Sequence, residues 1–308
     1  FDFVRWGKFT TAISAIIIAA TLALFFYRAF TTPAKVLAVD LTGGTAITFS
    51  YAKDYKPDVG VIRSALDPFD NATTIQVQSS LDGQSDSLLI KTGNTSETHG
   101  DVPAKVAELI NAAAPKARFV QMGVEEVGSV VGGDLKAAGT KAVIFSLIAI
   151  LVYVAFRFEF GFALGGVVAL AHDAFITLGL FSLCGRQVSL IVVTAILTIV
   201  GYSINDTIVI FDRIREDLRK DARTPFRELC NNAINQTLSR TVITSATTLF
   251  AVFALFAFGD GSIFDFALTM LIGIVTGTYS SVFIATPIMM WWYHGRRPQF
   301  KTDEPAKQ

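Results

Sequence analysis

The chain has 308 residues, of which 52% are hydrophobic and 17% are charged. Soluble domains average roughly 45–50% apolar and about 25% charged residues, so this composition favours a membrane protein. Basic and acidic residues balance at 26 each, which argues against a nucleic-acid partner. Three histidines and two cysteines without metal-ligand spacing give no reason to expect a metal site or another cofactor.

Residues 1–30 combine a short basic, amphipathic lead-in with the first apolar run, at 9–27. The run is long enough to cross about 30 Å of hydrocarbon, and no small-residue cleavage site follows it. It is therefore predicted to be a transmembrane helix and not a signal peptide. The chain begins at Phe1 without a Met, as expected of a trimmed or mature chain or of the second half of a longer polypeptide.

Residues 31–133 are polar and contain no spanning run. Their alternating and helical patterns predict the order β-α-β-β-α-β, which is the ferredoxin-like plan. Gly43 and Gly44 are interpreted as a bend or bulge in the first strand, because no phosphate-binding loop with its lysine is present. A turn at Asp82 and Gly83 precedes the third strand. The strands are predicted at 39–51, 73–79, 88–91 and 118–127, and the helices at 57–66 and 101–113.

Residues 134–293 hold five further apolar runs that are each long enough to span, and they are predicted to form a five-helix transmembrane bundle. The longest link, 212–240, is basic and is predicted to carry a cytoplasmic amphipathic helix at 225–238 in the membrane interface. Residues 294–308 form a tail. The predicted fold class is an α-helical membrane protein with six transmembrane helices and one α+β domain. The five runs lie at 137–156, 161–184, 188–211, 241–258 and 264–293.

The distribution of basic residues predicts the topology. With six spans, the basic N-terminus, Arg157, 213–227 and 294–297 all fall on one side, which the positive-inside rule assigns to the cytoplasm. Both termini are then cytoplasmic and the α+β domain is extracytoplasmic, or periplasmic in a bacterium. Cys184 and Cys230 fall on opposite sides and are not expected to form a disulfide.

The most informative residues interrupt the fourth apolar run. Asn205 and Asp206 have apolar residues on both sides. A carboxylate within a spanning helix costs roughly 2.5–3.5 kcal/mol, so such a residue is a candidate for moving an ion or proton. Arg240 begins the next span on the same side of the membrane. Polar residues follow it at or near helical spacing: Thr244, Thr247 and Thr248.

A nearby arginine favours the ionised form of an aspartate, whereas desolvation favours the protonated form. We therefore predict that Asp206 pairs with Arg240 when ionised and is released when protonated, as a proton-coupled cycle requires. The alternative for Arg240 is snorkelling to lipid phosphates. The polar pair His172 and Asp173 lies near the middle of the third span and is interpreted mainly as a hydrogen-bonded contact between helices. Close helix packing is predicted at two pairs of glycines, Gly161 with Gly165 and Gly273 with Gly277.

Several blocks resemble the SecF family of protein-export membrane subunits, or the SecF portion of a fused SecDF chain. The most specific are Gly201-Tyr-Ser-Ile-Asn-Asp-Thr-Ile-Val-Ile-Phe-Asp-Arg-Ile-Arg-Glu216 and Gln236-Thr-Leu-Ser-Arg-Thr-Val-Ile-Thr-Ser245. Shorter blocks are Phe1-Asp-Phe-Val-Arg-Trp6, Val39-Asp-Leu-Thr-Gly-Gly-Thr45, Val127-Gly-Ser-Val-Val-Gly132 and Ala171-His-Asp173. Leu41 replaces a phenylalanine that is usual in the family, and Pro33 stands in an approach that is usually richer in Gly and Asn.

The resemblance implies a pseudo-symmetric bundle formed with SecD in the bacterial cytoplasmic membrane and related to RND transporters. It implies association with the SecYEG channel and, in many bacteria, YajC. The pair is expected to use the proton-motive force to promote export of preproteins. In the family, the positions matching Asp206 and Arg240 take part in the proton pathway with an aspartate of SecD, so this chain is expected to hold only part of the relay.

Two other functions remain open. A different RND-type exporter half would usually carry a larger outer domain and duplicated halves. An intramembrane aspartyl protease needs a Gly-x-Gly-Asp sequence, whereas Ser203-Ile-Asn-Asp206 stands here. The predicted depths of Asp173 and Asp206 also differ by on the order of 9 Å, too far for two carboxylates to share a proton. A non-enzymatic, proton-coupled export subunit is therefore preferred.

Overall fold

The computed structural model describes residues 1–31, 36–52, 55–70, 73–78, 87–93, 95, 100–221, 223–259 and 261–298. Six helices in these ranges are long and apolar enough to cross a membrane, which confirms the prediction of a multi-span α-helical protein. The predicted turn at Asp82 and Gly83 and the unusual Pro33 lie outside the described residues.

The first part of the chain contains one spanning helix and a small sheet unit. Its elements are α1 (Phe3–Thr31), α2 (Val39–Thr42), β1 (Gly44–Ser50), α3 (Val59–Leu66), β2 (Thr74–Gln78), β3 (Ser87–Thr92), α4 (Val102–Ala113), a 3₁₀ turn (Pro115–Ala117) and β4 (Val120–Val127). The bundle follows with α5 (Ser129–Arg157), α6 (Phe160–Leu183), α7 (Leu190–Lys220), α8 (Phe226–Phe258), α9 (Gly261–Ser280), a π-helical segment (Ser281–Ala285) and α10 (Thr286–Trp292).

The sheet unit, from α2 to β4, has its own hydrophobic core. Its four strands pair antiparallel in the order β2-β3-β1-β4. The side chains of α3 and α4 cover one face of the sheet, where Ile47, Phe49 and Ile90 are fully buried. Each such side chain contributes about 1.5–3 kcal/mol through burial. The observed element order matches the predicted β-α-β-β-α-β pattern, and Asp101 caps α4 as predicted, with its Oδ1 accepting from Ala104 N–H at 3.1 Å.

The approach to β1 differs from the prediction. Val39–Thr42 is a helical turn and not the start of a strand. Gly43 and Gly44 end this turn with φ of 78° and 121°, a backbone region that favours glycine. Gly43 also lies against the first turns of α5, because a Cβ on Gly132 would stand 2.8 Å from Gly43 N. The two glycines therefore provide a helix end and a close backbone approach, and the predicted bend within a strand is wrong.

The predicted interfacial helix at 225–238 is also corrected. α7 continues to Lys220, and α8 runs unbroken from Phe226 to Phe258, so most of the predicted link 212–240 extends two spanning helices. No proline or glycine interrupts α8. Leu229 and Ala233 are buried in the same hydrophobic cluster as Ile214 of α7. The apolar stripe of this segment thus packs on the bundle and does not lie on a membrane surface.

Glycines let the spanning helices approach closely, as predicted. A Cβ on Gly165 would lie 2.5 Å from Ala285 O, and one on Gly273 would lie 2.1 Å from Ile199 Cδ1. A Cβ on Gly161 would likewise lie 2.5 Å from Cε2 of the Tyr293 ring. Larger residues at these positions would force the helices apart.

The sixth span contains a wide turn at its π-helical segment. Pro287 has no N–H to offer the Phe283 carbonyl, which accepts instead from the Thr11 hydroxyl of α1 at 3.3 Å. Ser280 and Ser281 are both fully buried in the bundle. The wide turn therefore lets two consecutive hydroxyls point inward.

The sheet unit sits on one end of the bundle, here termed the sheet end, and the opposite end is termed the far end. Between α6 and α7, Val188 N–H donates to Val36 O at 2.7 Å, and Ala38 N–H donates to Val188 O at 2.9 Å. Gln76 Nε2 donates to Gly185 O at 3.0 Å. These bonds tie the sheet unit to the loop that precedes α7.

A salt bridge and a nearby lysine lie at the same junction. Arg186 and Asp265, both largely buried, form a salt bridge at 2.6 Å between the α6–α7 loop and the start of α9. Lys91 of β3 lies within electrostatic range of Asp265 and Asp40. Burial lowers the pKa of the Lys91 ammonium, and the nearby Asp265 carboxylate opposes that shift.

Candidate functional site

The interior of the bundle holds a fully buried carboxylate, Asp173 of α6. Its Oδ2 accepts from Ser203 Oγ of α7 at 2.5 Å and from Ser280 Oγ of α9 at 2.8 Å. Its Oδ1 lies 2.9 Å from His172 Nδ1, while His172 Nε2 has no hydrogen-bond partner within the described ranges. The structure thus brings the predicted pair His172 and Asp173 together and links it to two neighbouring helices.

Hydroxyl groups extend this network towards the wide turn. Thr207 Oγ1 lies 2.9 Å from Ser281 Oγ, and Ser281 Oγ donates to Gly277 O at 3.0 Å. Sequence reasoning missed these residues because it weighted charged groups and passed over uncharged ones. Ser203 and Thr207 are one helical turn apart on α7, on the buried side that also holds Asp206, so that spacing was a usable signal.

Asp206 occupies a less satisfied environment. It is 5% exposed, and its Oδ2 has no hydrogen-bond partner among the described residues. The hydroxyl of Ser245 on α8 lies within hydrogen-bonding range of the Asp206 carboxylate, and its Oγ also lies 2.7 Å from Thr278 Oγ1. The buried hydroxyl of Thr241 also lacks a partner within the described ranges. The Asp206 carboxylate therefore keeps hydrogen-bonding capacity that the described residues do not fill.

Arg240 lies near Asp206 without forming a salt bridge to it. It is within electrostatic range of Asp206 but forms no salt bridge with any residue that the structure describes. Arg240 is exposed on the outside of the bundle, and so is Asn205. The predicted ion pair is thus absent in this conformation, because the two side chains stand on the buried and the outward sides of the helix contact.

The threonines that follow Arg240 contribute to the contact between α7 and α8. Tyr202 OH donates to Thr244 O at 3.1 Å and lies 3.2 Å from Thr248 Oγ1. Thr247 is exposed, and its hydroxyl donates to Thr244 O at 2.9 Å. Tyr202 precedes Asp206 by one helical turn, so the two side chains sit on neighbouring positions of the α7 surface that faces α8.

Four small or polar residues face outward on α7. They recur at intervals of three and four residues and are all exposed: Thr194, Thr198, Gly201 and Asn205. The two threonine hydroxyls donate to carbonyls of α7 itself, whereas bilayer lipid offers no hydrogen bonds to the Asn205 amide. The exposed asparagine therefore indicates contact with another protein or with a water-filled space, and we call these four residues the α7 stripe.

The described residues contain no cluster of three or more His, Cys, Asp or Glu side chains that could hold a metal ion. Within the same ranges no hydrogen bond joins Asp173 to Asp206, and each carboxylate has its own surroundings. A multi-span membrane protein with two separate buried carboxylates is the class that this geometry defines.

Comparison with known proteins narrows the class. The family model "Protein export membrane protein SecD/SecF, C-terminal" matches residues 106–295. The chain is 38% identical over 295 residues to the protein translocase subunit SecF of Calditerrivibrio nitroreducens, covering 94% of this chain and 92% of that one. It is 42% identical over 294 residues to the SecF of Vibrio alginolyticus, covering 94% and 88%.

A solved structure agrees with these relatives. The crystal structure of SecDF, a translocon-associated membrane protein from Thermus thermophilus, matches with a TM-score of 0.81 at 33% identity. The match covers 96% of this chain and 39% of the SecDF chain. The chain belongs to the SecD/SecF protein-export family.

Proposed function

We propose that the chain is a SecF-type subunit that works with a SecD partner and uses the proton-motive force to promote preprotein translocation through the Sec channel. The observation that carries the proposal is the buried, unpartnered Oδ2 of Asp206, on a carboxylate that has the outward-facing Asn205 next to it and Arg240 within electrostatic range. A buried carboxylate with an unused oxygen favours proton binding, and an arginine within range stabilises its ionised form. We assign no enzymatic activity to the chain.

The partner follows from the exposed polar residues. Asn205 of the α7 stripe and Arg240 are exposed polar groups that a polar neighbour within the membrane would satisfy. A SecD subunit that presents an acidic side chain there would pair with Arg240 and complete the relay. The SecYEG channel, YajC, unfolded preprotein and the surrounding lipid are the other partners that we propose. The relatives bear the names SecF and SecDF, which supports this assembly.

Topology and domain organisation complete the proposal. The sheet order β2-β3-β1-β4, with two helices on one face, supports a ferredoxin-like domain at 31–133. Arginines are concentrated at the far end of the bundle, so we place that end and both termini in the cytoplasm of a bacterium. The sheet unit then lies outside the cytoplasmic membrane. Residues 1–30, 134–293 and 294–308 supply the first span, the remaining bundle and the tail.

The proposed cycle begins with an ionised Asp206 that Arg240 stabilises. Protonation removes the charge, so Arg240 is free to pair with the partner, and α7 shifts against α8 at the contact of Tyr202 with Thr248. Release of the proton from Asp206 on the other side of the membrane restores the first arrangement. A proton that crosses the membrane supplies about 2.3 kcal/mol per 100 mV, which is enough to bias helix positions. His172 and Asp173 act in support by holding α6 to α7.

The substitution Asp206→Asn tests the function directly. In inverted membrane vesicles it is expected to abolish the part of preprotein translocation that depends on the proton-motive force, because the amide cannot bind and release the proton. Asp212→Asn is the matched control, since Asp212 is a half-exposed carboxylate on the same helix that pairs with Arg157. Co-purification with SecD should stay intact in both variants. Full proton-dependent translocation with Asp206→Asn would contradict the proposed function.

A further inference from the structure

The helix that carries Asp206 is fastened at its first turn to the sheet unit. Leu190 N–H, one of the donors that a helix leaves unpaired, donates to Asp40 Oδ2 at 2.6 Å. Asp40 belongs to α2, so the cap comes from another element. The local capping residue, Ser189, accepts only a long bond of 3.4 Å from Val192 N–H. A carboxylate at this position also complements the positive end of the helix dipole.

Asp40 also lies at the edge of a cavity. The carboxylate borders a cavity of about 290 Å³ between sheet and bundle, which Lys91, Glu125 and Asp265 also line. Its second oxygen, Oδ1, is buried and has no hydrogen-bond partner among the described residues. The sheet is therefore not packed solidly on the bundle here. Beside this cavity, Leu37 packs on the apolar cluster that contains Val188 and Val192.

The geometry of α7 connects this cap with the proton site. α7 is one continuous helix from Leu190 to Lys220, without a proline. Leu190 and Asp206 are separated by about 24 Å along its axis, from the rise of about 1.5 Å per residue. A helix of this length moves as a unit, so a displacement at Asp206 reaches the residue that Asp40 holds.

We propose that Asp40 is a coupling residue: its carboxylate transmits movement of α7 to the sheet unit, and through that unit to the exported polypeptide. The inference rests on the proposed function. Gly43 and Gly44 end α2, directly after the turn that places Asp40 over the start of α7. Asp40 acts through α7 and is a positioning residue.

Three variants separate coupling from folding. Asp40→Ala removes the cap, Asp40→Asn keeps an acceptor oxygen, and Asp101→Ala is the matched control, because it removes an equivalent aspartate cap from α4 inside the sheet unit. Each is assembled with SecD and the Sec channel in membrane vesicles. Proton flux and proton-dependent translocation are measured on the same preparation, with Asp206→Asn alongside.

With Asp40→Ala we expect proton-dependent translocation to fall about fivefold, the change that corresponds to loss of a helix cap, while proton flux persists. Asp40→Asn should restore most of the translocation, and Asp101→Ala should stay close to the unmodified protein. Equal behaviour of Asp40→Ala and Asp101→Ala, or a parallel loss of flux and translocation in Asp40→Ala, would overturn the coupling role. Undiminished translocation with Asp206→Asn would instead overturn the proposed function and the coupling role with it.

A spectroscopic measurement keeps the test decisive if Asp40→Ala assembles poorly. Spin labels are attached to the exposed Cys184 at the sheet end and to a cysteine introduced by Glu108→Cys on the exposed side of α4. Pulsed electron paramagnetic resonance on the purified chain then reports the distance between bundle and sheet unit. One narrow distance is expected with Asp40 and a broad distribution with Asp40→Ala. An unchanged narrow distance in Asp40→Ala would overturn the inference.

Discussion

Asp173 and Asp206 are buried carboxylates on adjacent helices, and they differ in how fully their oxygens are used. Asp173 has a partner on each oxygen, including hydroxyls from two other helices. Asp206 has a buried oxygen without a partner in the described part of the chain. A fully bonded carboxylate holds its helices in one arrangement, whereas a partly bonded one can change its proton occupancy at little structural cost. Asp173 is therefore suited to holding the helices together, and Asp206 is suited to changing its protonation state.

Asp173→Ala should produce the largest change in stability. The substitution leaves the buried Ser203 hydroxyl without its acceptor and leaves Ser280 only the bond to Gly277 O at 3.1 Å, so we expect a loss of about 2–3 kcal/mol in the free energy of unfolding. Denaturation of the purified chain in detergent micelles measures it. Asp206→Ala is the control and should change stability by less than about 1 kcal/mol, because its Oδ2 has no bond to lose and Ser245 keeps Thr278 as a partner. Equal losses in the two variants would break the comparison.

Gly277→Val should destabilise the Asp173 region by about 1–3 kcal/mol through overpacking. A Cβ at Gly277 would stand 2.9 Å from Ser203 Cβ and 3.5 Å from Asp173 Oδ2. The same denaturation experiment applies. Gly201→Val serves as the control on α7, since nothing lies within 4 Å of a Cβ there. A stable Gly277→Val variant would mean that the fastening network tolerates rearrangement.

Gly201→Phe tests whether the outward surface of α7 next to Asp206 binds the partner subunit. It should leave the isolated chain as stable as before, but it places a large ring in the α7 stripe beside Asn205. Co-purification with SecD is expected to weaken about tenfold, or about 1.4 kcal/mol in binding free energy. Ile144→Phe on the exposed, apolar surface of α5 is the control. Undisturbed SecD binding in Gly201→Phe would show that the partner contacts a different surface.

Much of the fold was accessible from the sequence because it depends on local patterns. Apolar length predicted six spans, and the Asp101 cap and the strand alternation predicted the order of elements in the sheet unit. Gly43 and Gly44 were recognised as irregular, but their role depends on the distant Gly132. The continuity of α8 likewise depends on packing against Ile214, which no local pattern reveals.

The site was predicted less completely, for a related reason. A charged residue in an apolar run is conspicuous because placing it in the membrane costs free energy. Asp206, Arg240 and Asp173 can be identified on that basis. Ser203 and Ser280 cost little in a helix, so their role appears only when three helices meet. The outward position of Arg240 is set by the contact between α7 and α8, and its final partner would belong to another chain.

The π-helical segment at Ser281–Ala285 divides the sixth span into two lengths with different angular phase. One extra residue in a turn offsets the inward side of the second length from that of the first by about 100°. Gly273 and Gly277 mark the inward side before the segment, and Met289, packed on Gly165, marks it afterwards. Deleting one residue there would restore a regular helix yet rotate Met289 away from α6. The π-helical segment thus rotates the inward side of the span, so that the residues before it and the residues after it each face their own neighbouring helices.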